Sequence, residues 1–169
     1  IGWAIRYLII GDTPKDYDFC VTGFTEKSFS EIFPEAKLVG ESFGVFLLND
    51  NEISLARQET KNDKGHRGFK VEFVDNITKD LYRRDLTMNA IALNLLTGEL
   101  LDPFNGMKDI EQKMVQHVSE HFKEDPLRAY RAAVFSTRYN FEINYTTLDL
   151  MNSLSQEIKL LSVQRVYEE

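Results

Sequence analysis

Two carboxylates separated by a single residue, Asp16 and Asp18 in the run DYDF, are the groups in this chain best suited to chemistry. The run reads as a strand. Alternation then puts Asp16 and Asp18 on one face with Cys20 and Thr22, and Tyr17, Phe19 and Val21 on the core face. Neighbouring carboxylates repel each other, and a divalent cation, Mg²⁺ above all, relieves that repulsion and completes its shell with substrate phosphates. Upstream, Gly2 precedes an apolar helix predicted over residues 3–10, with Ile5, Leu8 and Ile9 at helical spacing. Gly11 stands at its C′ position and Pro14 follows shortly after. A glycine before a helix leaves bare N–H groups at the positive end of the dipole, and Arg6 lies one turn in. Each feature alone also describes a surface acid pair or an ordinary cap. In this order they suit a nucleoside triphosphate held between a helix N-terminus and a metal.

The rest of the chain must position these groups. Residues 24–37 predict a short helix broken at Pro34. Residues 43–48 and 52–56 predict a hairpin turning at Asn49, Asp50 and Asn51. The polar run 57–68 reads as a loop, and FKVEFV from Phe69 alternates as a strand. In residues 79–94, Asp85 and Asn89 fall on one face if the segment is helical, just after Arg83 and Arg84. Charge pairs at a solvated helix start would look the same. Short strands near Leu95 and Leu100 flank a turn at Thr97-Gly98, and a helix is expected over 108–113. From His121 onward helices dominate. One is capped by Asp125 with Pro126 in its first turn, Leu127, Tyr130, Ala133 and Val134 on its apolar side, and Arg128 and Arg131 sharing a face. A second is expected over 146–161 and a third from Ser162. Strands and helices mix without regular alternation, which indicates an α+β fold.

Composition bounds the rest. The 169 residues, 43% hydrophobic and 12% aromatic, suffice for one domain with a smaller annex. Cys20 is the single cysteine, which excludes an intrachain disulfide and suits a reducing cytoplasm. No stretch approaches the roughly 20 apolar residues of a membrane span. A net charge of −7 argues against a broad sequence-independent grip on nucleic acid but leaves room for a pocket. His66, His117 and His121 show no metal-ligand spacing. The chain begins at Ile1, directly on a motif, which points to a trimmed or incompletely observed N-terminus.

Together, GWAIRYLIIGDTPKDYD, RRDLTMN and EDPLRAYR, linked by ARQETKNDKGHRGF and LDPFNGMKDI, resemble the class II tRNA nucleotidyltransferases and bacterial poly(A) polymerases, nearest the CCA-adding type. The resemblance spans essentially the whole chain. It implies a polymerase beta-like nucleotidyltransferase mixed sheet with flanking helices over 1–118, then an α-helical neck over 119–169, incomplete at its C-terminus. The implied reaction is template-independent transfer of CMP and AMP from CTP and ATP to the tRNA 3′ end. Poly(A) polymerase or partial CC- or A-adding activity shares that chemistry, and a nucleotide- or RNA-binding module with weakened catalysis is the alternative from another class. The resemblance assigns metal binding and catalysis to Asp16 and Asp18, and the triphosphate to Gly2, Trp3 and Arg6 with Arg83 or Arg84. It assigns the ribose to Asp85 and Asn89 and the base to Asp125 and Arg128, with Arg131 over base or phosphates. The 57–68 loop matches the segment that helps the pocket change from CTP to ATP. The family's second glycine is Trp3 here, its aspartate after the arginine is Tyr7, and its Glu-Arg-Val reads Gln164-Arg165-Val166.

Overall fold

The computed structural model describes residues 1–40, 43–61 and 69–167. The chain divides into two compact units, Ile1–Arg83 and Arg84–Glu169. This division falls earlier than the change of composition near residue 118.

In the first unit, α1 (Trp3–Ile10) ends at Gly11, whose φ of 93° is the left-handed C-cap that the sequence predicts. Then follow β1 (Phe19–Val21), α2 (Glu26–Ile32), β2 (Lys37–Gly40), β3 (Val45–Leu48), β4 (Asn51–Leu55), β5 (Arg57–Lys61), β6 (Phe69–Phe73) and α3 (Ile77–Tyr82). The main sheet runs β1-β4-β3-β2, with β1 parallel to β4 and the other pairs antiparallel. It is therefore the mixed sheet that the α+β reading expects. Asn49 and Asp50 both take positive φ, 49° and 61°, as a tight two-residue hairpin between β3 and β4 requires. Phe29, Phe46 and Leu55 form the core, joined by Val21, Phe24, Phe33, Ile53 and Phe73. Burial of Phe29 and Phe46, with ring centroids 4.6 Å apart, supplies about 2–3 kcal/mol each.

Three expectations are corrected in this unit. Asp16 and Asp18 precede β1 rather than lying in it, and Tyr17 is exposed rather than core-facing. Carrying the β1–β4 register backward would set Asp18 against Glu52 and Asp16 against Asp50, like charges that do not pair. Residues 57–61 are a strand, because β5 pairs antiparallel with β6 and the Arg57 and Glu59 side chains find partners. Residues 62–68, the remainder of the expected loop, lie outside the described residues. Strand β2 carried no clear signal, since Lys37, Leu38 and Val39 are all exposed.

The second unit holds β7 (Ala92–Leu93), β8 (Leu100–Leu101), α4 (Gly106–Glu111), β9 (Met114–Val115), α5 (Leu127–Tyr139), β10 (Glu142–Ile143), α6 (Tyr145–Ser153), α7 (Ser155–Ile158) and α8 (Val163–Tyr167). The β7–β8 hairpin turns through Thr97-Gly98 as expected, with the Gly98 N–H donating to the Asn94 carbonyl. Asp85 and Asn89 do not share a helix. Helix α3 stops at Tyr82, Leu86 pairs with His117 as an antiparallel bridge, and Thr87–Asn89 is a short 3₁₀ turn. Helix α5 buries Ala129, Ala132 and Phe135, while Ala133 is exposed. The small alanines let the helix approach its neighbours, and the larger residues on the adjacent stripe misdirect a hydrophobicity reading. The expected helix over 146–161 breaks at Leu154, next to Ser153, whose hydroxyl donates back to the Leu150 carbonyl at 2.6 Å.

The start of α4 sits against the 3₁₀ turn. The Asp102 carboxylate accepts from the Gly106 and Met107 N–H groups at 2.7 and 2.9 Å, satisfying two orphan donors. A Cβ on Gly106 would run into the Thr87 carbonyl and the Ile91 side chain. Gly106→Ala is accordingly expected to destabilise the protein by about 2 kcal/mol through overpacking against backbone. Thermal unfolding checks this, and an unchanged midpoint would count against it.

Candidate functional site

The first set of site residues lies in the first unit. Gly2 takes φ 63°, outside the ordinary range of L side chains, and its carbonyl accepts the first helical bond, from Arg6 N–H at 3.0 Å. One residue earlier, the Ile1 nitrogen donates to the Asp18 carbonyl at 2.6 Å. That bond brings the start of α1 beside the acidic run. Asp16 and Asp18 are both exposed, and Asp16 Oδ1 accepts from the Tyr17 N–H at 2.8 Å. Two exposed, hard carboxylate donors next to a helix start fit a divalent cation and the phosphates it accompanies. Arg6 is fully buried, its guanidinium 5.1 Å from the Trp3 ring and 5.3 Å from the Tyr7 ring. The two aromatic departures from the family pattern therefore pack against that arginine as cation–π neighbours.

Arg83 closes the first unit as a strut. Its guanidinium donates to Asp80 Oδ1 at 2.7 Å and meets Glu59 Oε1 at 3.1 Å, and Glu59 also pairs with Arg57 at 2.9 Å. Asp80, wholly buried, further accepts from the Arg57 backbone N–H. Burial first, then the neighbouring Arg83 charge, pushes the Arg57 guanidinium below its ordinary pKa, against the opposing pull of Glu59 and Asp80. Glu72, the remaining acid on β6, accepts from the Gln58 amide at 2.7 Å, and β6 does not adjoin β1 in the main sheet.

The second set lies in the second unit and is knit directly together. Asp85 is buried. Its Oδ2 accepts from Arg131 Nε at 2.7 Å, and its Oδ1 accepts from Asn89 Nδ2 at 3.1 Å and from the Leu86 N–H at 2.8 Å. Burial by itself would push the Asp85 carboxyl up; the Arg131 charge and hydrogen bond, the Asn89 amide and the Arg128 charge outweigh it and hold the carboxyl below its ordinary range. Arg128 Nη1 donates to the His121 carbonyl at 2.9 Å. Asp125, one residue ahead of the Pro126 N-cap of α5, accepts from the Leu127 N–H at 3.0 Å, and its other oxygen accepts from Arg165 Nη2 at 2.7 Å. Arg165 is the neighbour of these candidate residues that residue reasoning missed. Its signal was the Gln164-Arg165-Val166 segment, whose partner forty positions earlier no spacing rule could name. Arg84 is half-buried at the start of this unit.

The Asp85–Arg131 pair has a measurable pH signature. A carboxyl held low when folded contributes stability that is complete above the unfolded pKa of about 4 and is lost as pH falls through the lower folded value. Arg131→Met leaves a buried carboxylate without its ion-pair partner, at a cost of about 3 kcal/mol at neutral pH. The deficit should narrow as pH drops toward 4 and the variant's carboxyl takes up a proton. Denaturant titrations at pH 7 and near pH 4 check this, and a deficit independent of pH would sink it.

Among the described residues no helix is long and apolar enough to cross a membrane. The family model described as the Poly A polymerase head domain matches residues 1–116. The chain is 39% identical over 178 residues to a "Multifunctional CCA protein" of Haemophilus ducreyi, covering 100% of this chain and 43% of that one. It is 41% identical over 179 residues to a "CCA-adding enzyme" of Alteromonas mediterranea, covering 100% and 44%. Among solved structures, the Bacillus stearothermophilus CCA-adding enzyme in complex with CTP superposes with a TM-score of 0.81 at 29% identity, over 98% of this chain and 41% of that one. A CCA-adding enzyme complex with ATP gives 0.75 at 26% identity, over 99% and 40%. The chain thus spans less than half the length of the relatives it matches.

Proposed function

Since the chain belongs to the family of class II tRNA nucleotidyltransferases and bacterial poly(A) polymerases, we propose that it carries the nucleotide-handling part of an enzyme that adds CMP and AMP to the 3′ end of tRNA. The observation that carries this reading is the Ile1–Asp18 bond, which sets the N–H-rich start of α1 beside two exposed aspartates. A nucleoside triphosphate needs that pairing of backbone donors with hard acidic ligands.

In the proposed reaction the 3′-hydroxyl of the primer attacks the α-phosphate of CTP or ATP in line, and pyrophosphate leaves. Asp16 and Asp18 would hold divalent cations, Mg²⁺ in this reading, which would neutralise the triphosphate and ease loss of the hydroxyl proton. The first turn of α1, after Gly2, offers N–H donors to the phosphates, with Trp3 and Arg6 shaping that end of the helix. Arg83 or Arg84 adds a contact to the phosphates, and Arg83 also pairs with Asp80 and Glu59. Asp85 and Asn89 meet the ribose; a carboxylate has about four acceptor positions, so Asp85 keeps capacity beyond its three bonds. Asp125 accepts and Arg128 donates toward the base. Cytosine and adenine both place an amine beside an unprotonated ring nitrogen and satisfy that pair. Uracil and guanine place a carbonyl beside a ring N–H and leave it unpaired. Arg131 supports this end through Asp85. The proposed head is 1–118 and the neck 119–169, in the cytoplasm, with tRNA held mainly by parts beyond this chain.

The test uses the full-length protein with Mg²⁺, each NTP separately and in mixture, and tRNA lacking its last three, two or one nucleotides, beside an oligo(A) primer. Completion of CCA on tRNA is the expected result. A long homopolymer on oligo(A) would indicate poly(A) synthesis. NTP binding without any product would indicate a binding module.

A further inference from the structure

The segment from Asp85 through the 3₁₀ turn that ends at Asn89 is not held by its own short-range bonds alone. A second segment clasps it from across the unit. The Thr87 N–H donates to the Gln116 carbonyl at 2.9 Å, and the Val118 N–H donates to the Asp85 carbonyl at 3.1 Å. Leu86 and His117 face each other between those bonds. His117 is thus the residue opposite the neighbour of Asp85, and whatever fixes His117 fixes the turn.

Its environment is built to do so. The His117 N–H donates to Thr147 Oγ1 at 3.0 Å, and His117 Nδ1 lies 2.8 Å from the same oxygen. Thr147 is fully buried on α6. The threonine hydroxyl can accept from the His117 N–H and still donate its own hydrogen to an unprotonated Nδ1. The Gln116 side-chain amide nitrogen lies 3.1 Å from Nδ1 and is a second donor, its other contacts being the His117 carbonyl and Thr146 Oγ1. Two donors converging on Nδ1 assign the ring proton to Nε2. The ring also packs against Phe122, with centroids 5.9 Å apart. Burial lowers the imidazole pKa, opposed by Glu120 and assisted by Lys123, which agrees with a neutral ring.

We propose that His117 is a positioning residue for nucleotide selection: clamped by Thr147, it sets the Asp85–Asn89 turn that meets the ribose. The proposal rests on the reading above in which those two residues contact the sugar. It makes α6 part of the nucleotide site without touching the nucleotide. Removing the clamp loosens the turn, so the loss falls on ribose recognition and not on the transfer step.

The experiment uses the full-length protein with CTP and 2′-deoxy-CTP on tRNA lacking its terminal nucleotides. His117→Phe keeps the ring and removes Nδ1; Thr147→Val keeps the shape and removes the hydroxyl; His117→Asn restores a polar acceptor near the Nδ1 position. Expected for the first two are a rise in KM for CTP of about tenfold, kcat within about twofold, and a CTP-over-deoxy-CTP preference lowered about tenfold. His117→Asn should stay within about twofold of the parent. An unchanged preference in a folded His117→Phe or Thr147→Val protein overturns the proposal. So does a loss shared equally by KM and kcat that His117→Asn does not rescue, which marks a general structural role. If His117→Phe does not fold, Thr147→Val decides the question. A parent protein that binds CTP and transfers nothing removes the proposed activity instead. Dissociation constants for CTP and deoxy-CTP then decide the His117 assignment by the same ratio.

Discussion

Replacing Asp16 by alanine in the full-length protein is expected to lower nucleotide transfer at least about a thousandfold and leave folding intact. The expected loss is large because a carboxylate ligand to the cation contributes to neutralising the triphosphate and to activating the attacking hydroxyl, and each effect is worth several kcal/mol at the transition state. The expectation that folding survives rests on exposure. Asp16 lies before β1, outside the sheet register, and its side chain accepts from the adjacent Tyr17 N–H. Asp18→Ala should behave likewise, since the bond from the Ile1 nitrogen is to the Asp18 backbone carbonyl and survives the substitution. Single-turnover transfer, read beside the thermal midpoint, checks the pair. A variant with near-parental rate would remove the metal role from these aspartates and with it the proposed chemistry.

The second large effect is on choice of base. Arg128→Ala should raise incorporation of UMP relative to CMP about a hundredfold, mostly by losing CTP and ATP and not by improving UTP. A guanidinium donates and cannot accept, so in the proposed site it would be paired by cytosine and adenine and left opposed by the N–H of uracil. The structure supports a fixed donor. One Arg128 nitrogen is tied to the His121 carbonyl, and Asp125, one turn before it, is held by the Leu127 N–H and by Arg165. The measured quantity is kcat/KM for CTP, ATP and UTP in turn. Unchanged ratios would reject base reading by Arg128.

The sequence was most legible where local chemistry decides structure. Gly11 as a C-cap, Asn49-Asp50 as a tight hairpin and Pro126 at the start of α5 each act within a few residues, and each stands where pattern reasoning puts it. Legibility failed where distant partners decide. Residues 85–89 look helical until segment 116–118 pulls them into pairing. Residues 57–61 look like a loop until Asp80 and Arg83 balance their charge. Alternation extended the DYDF strand through Asp16 because the acids opposite it, Asp50 and Glu52, cannot be seen from one segment. The candidate site follows the same rule. Its residue types were readable, and so was the link between the RRD and EDPLR blocks as a shared motif set. The Arg131–Asp85 and Arg165–Asp125 contacts that hold it were not, because each joins residues about forty positions or more apart.

Trp3, the single tryptophan of the sequence, is the first residue of α1, and its indole lies against the buried Arg6 guanidinium. Light absorbed near 295 nm is therefore taken up at one place in the chain, the helix start beside the acidic run. Its emission colour and quenching read out that spot without any dye or label. Titrating a nucleotide while watching this intrinsic fluorophore would follow occupancy in real time, with Tyr7→Phe as a control for the second ring near the arginine.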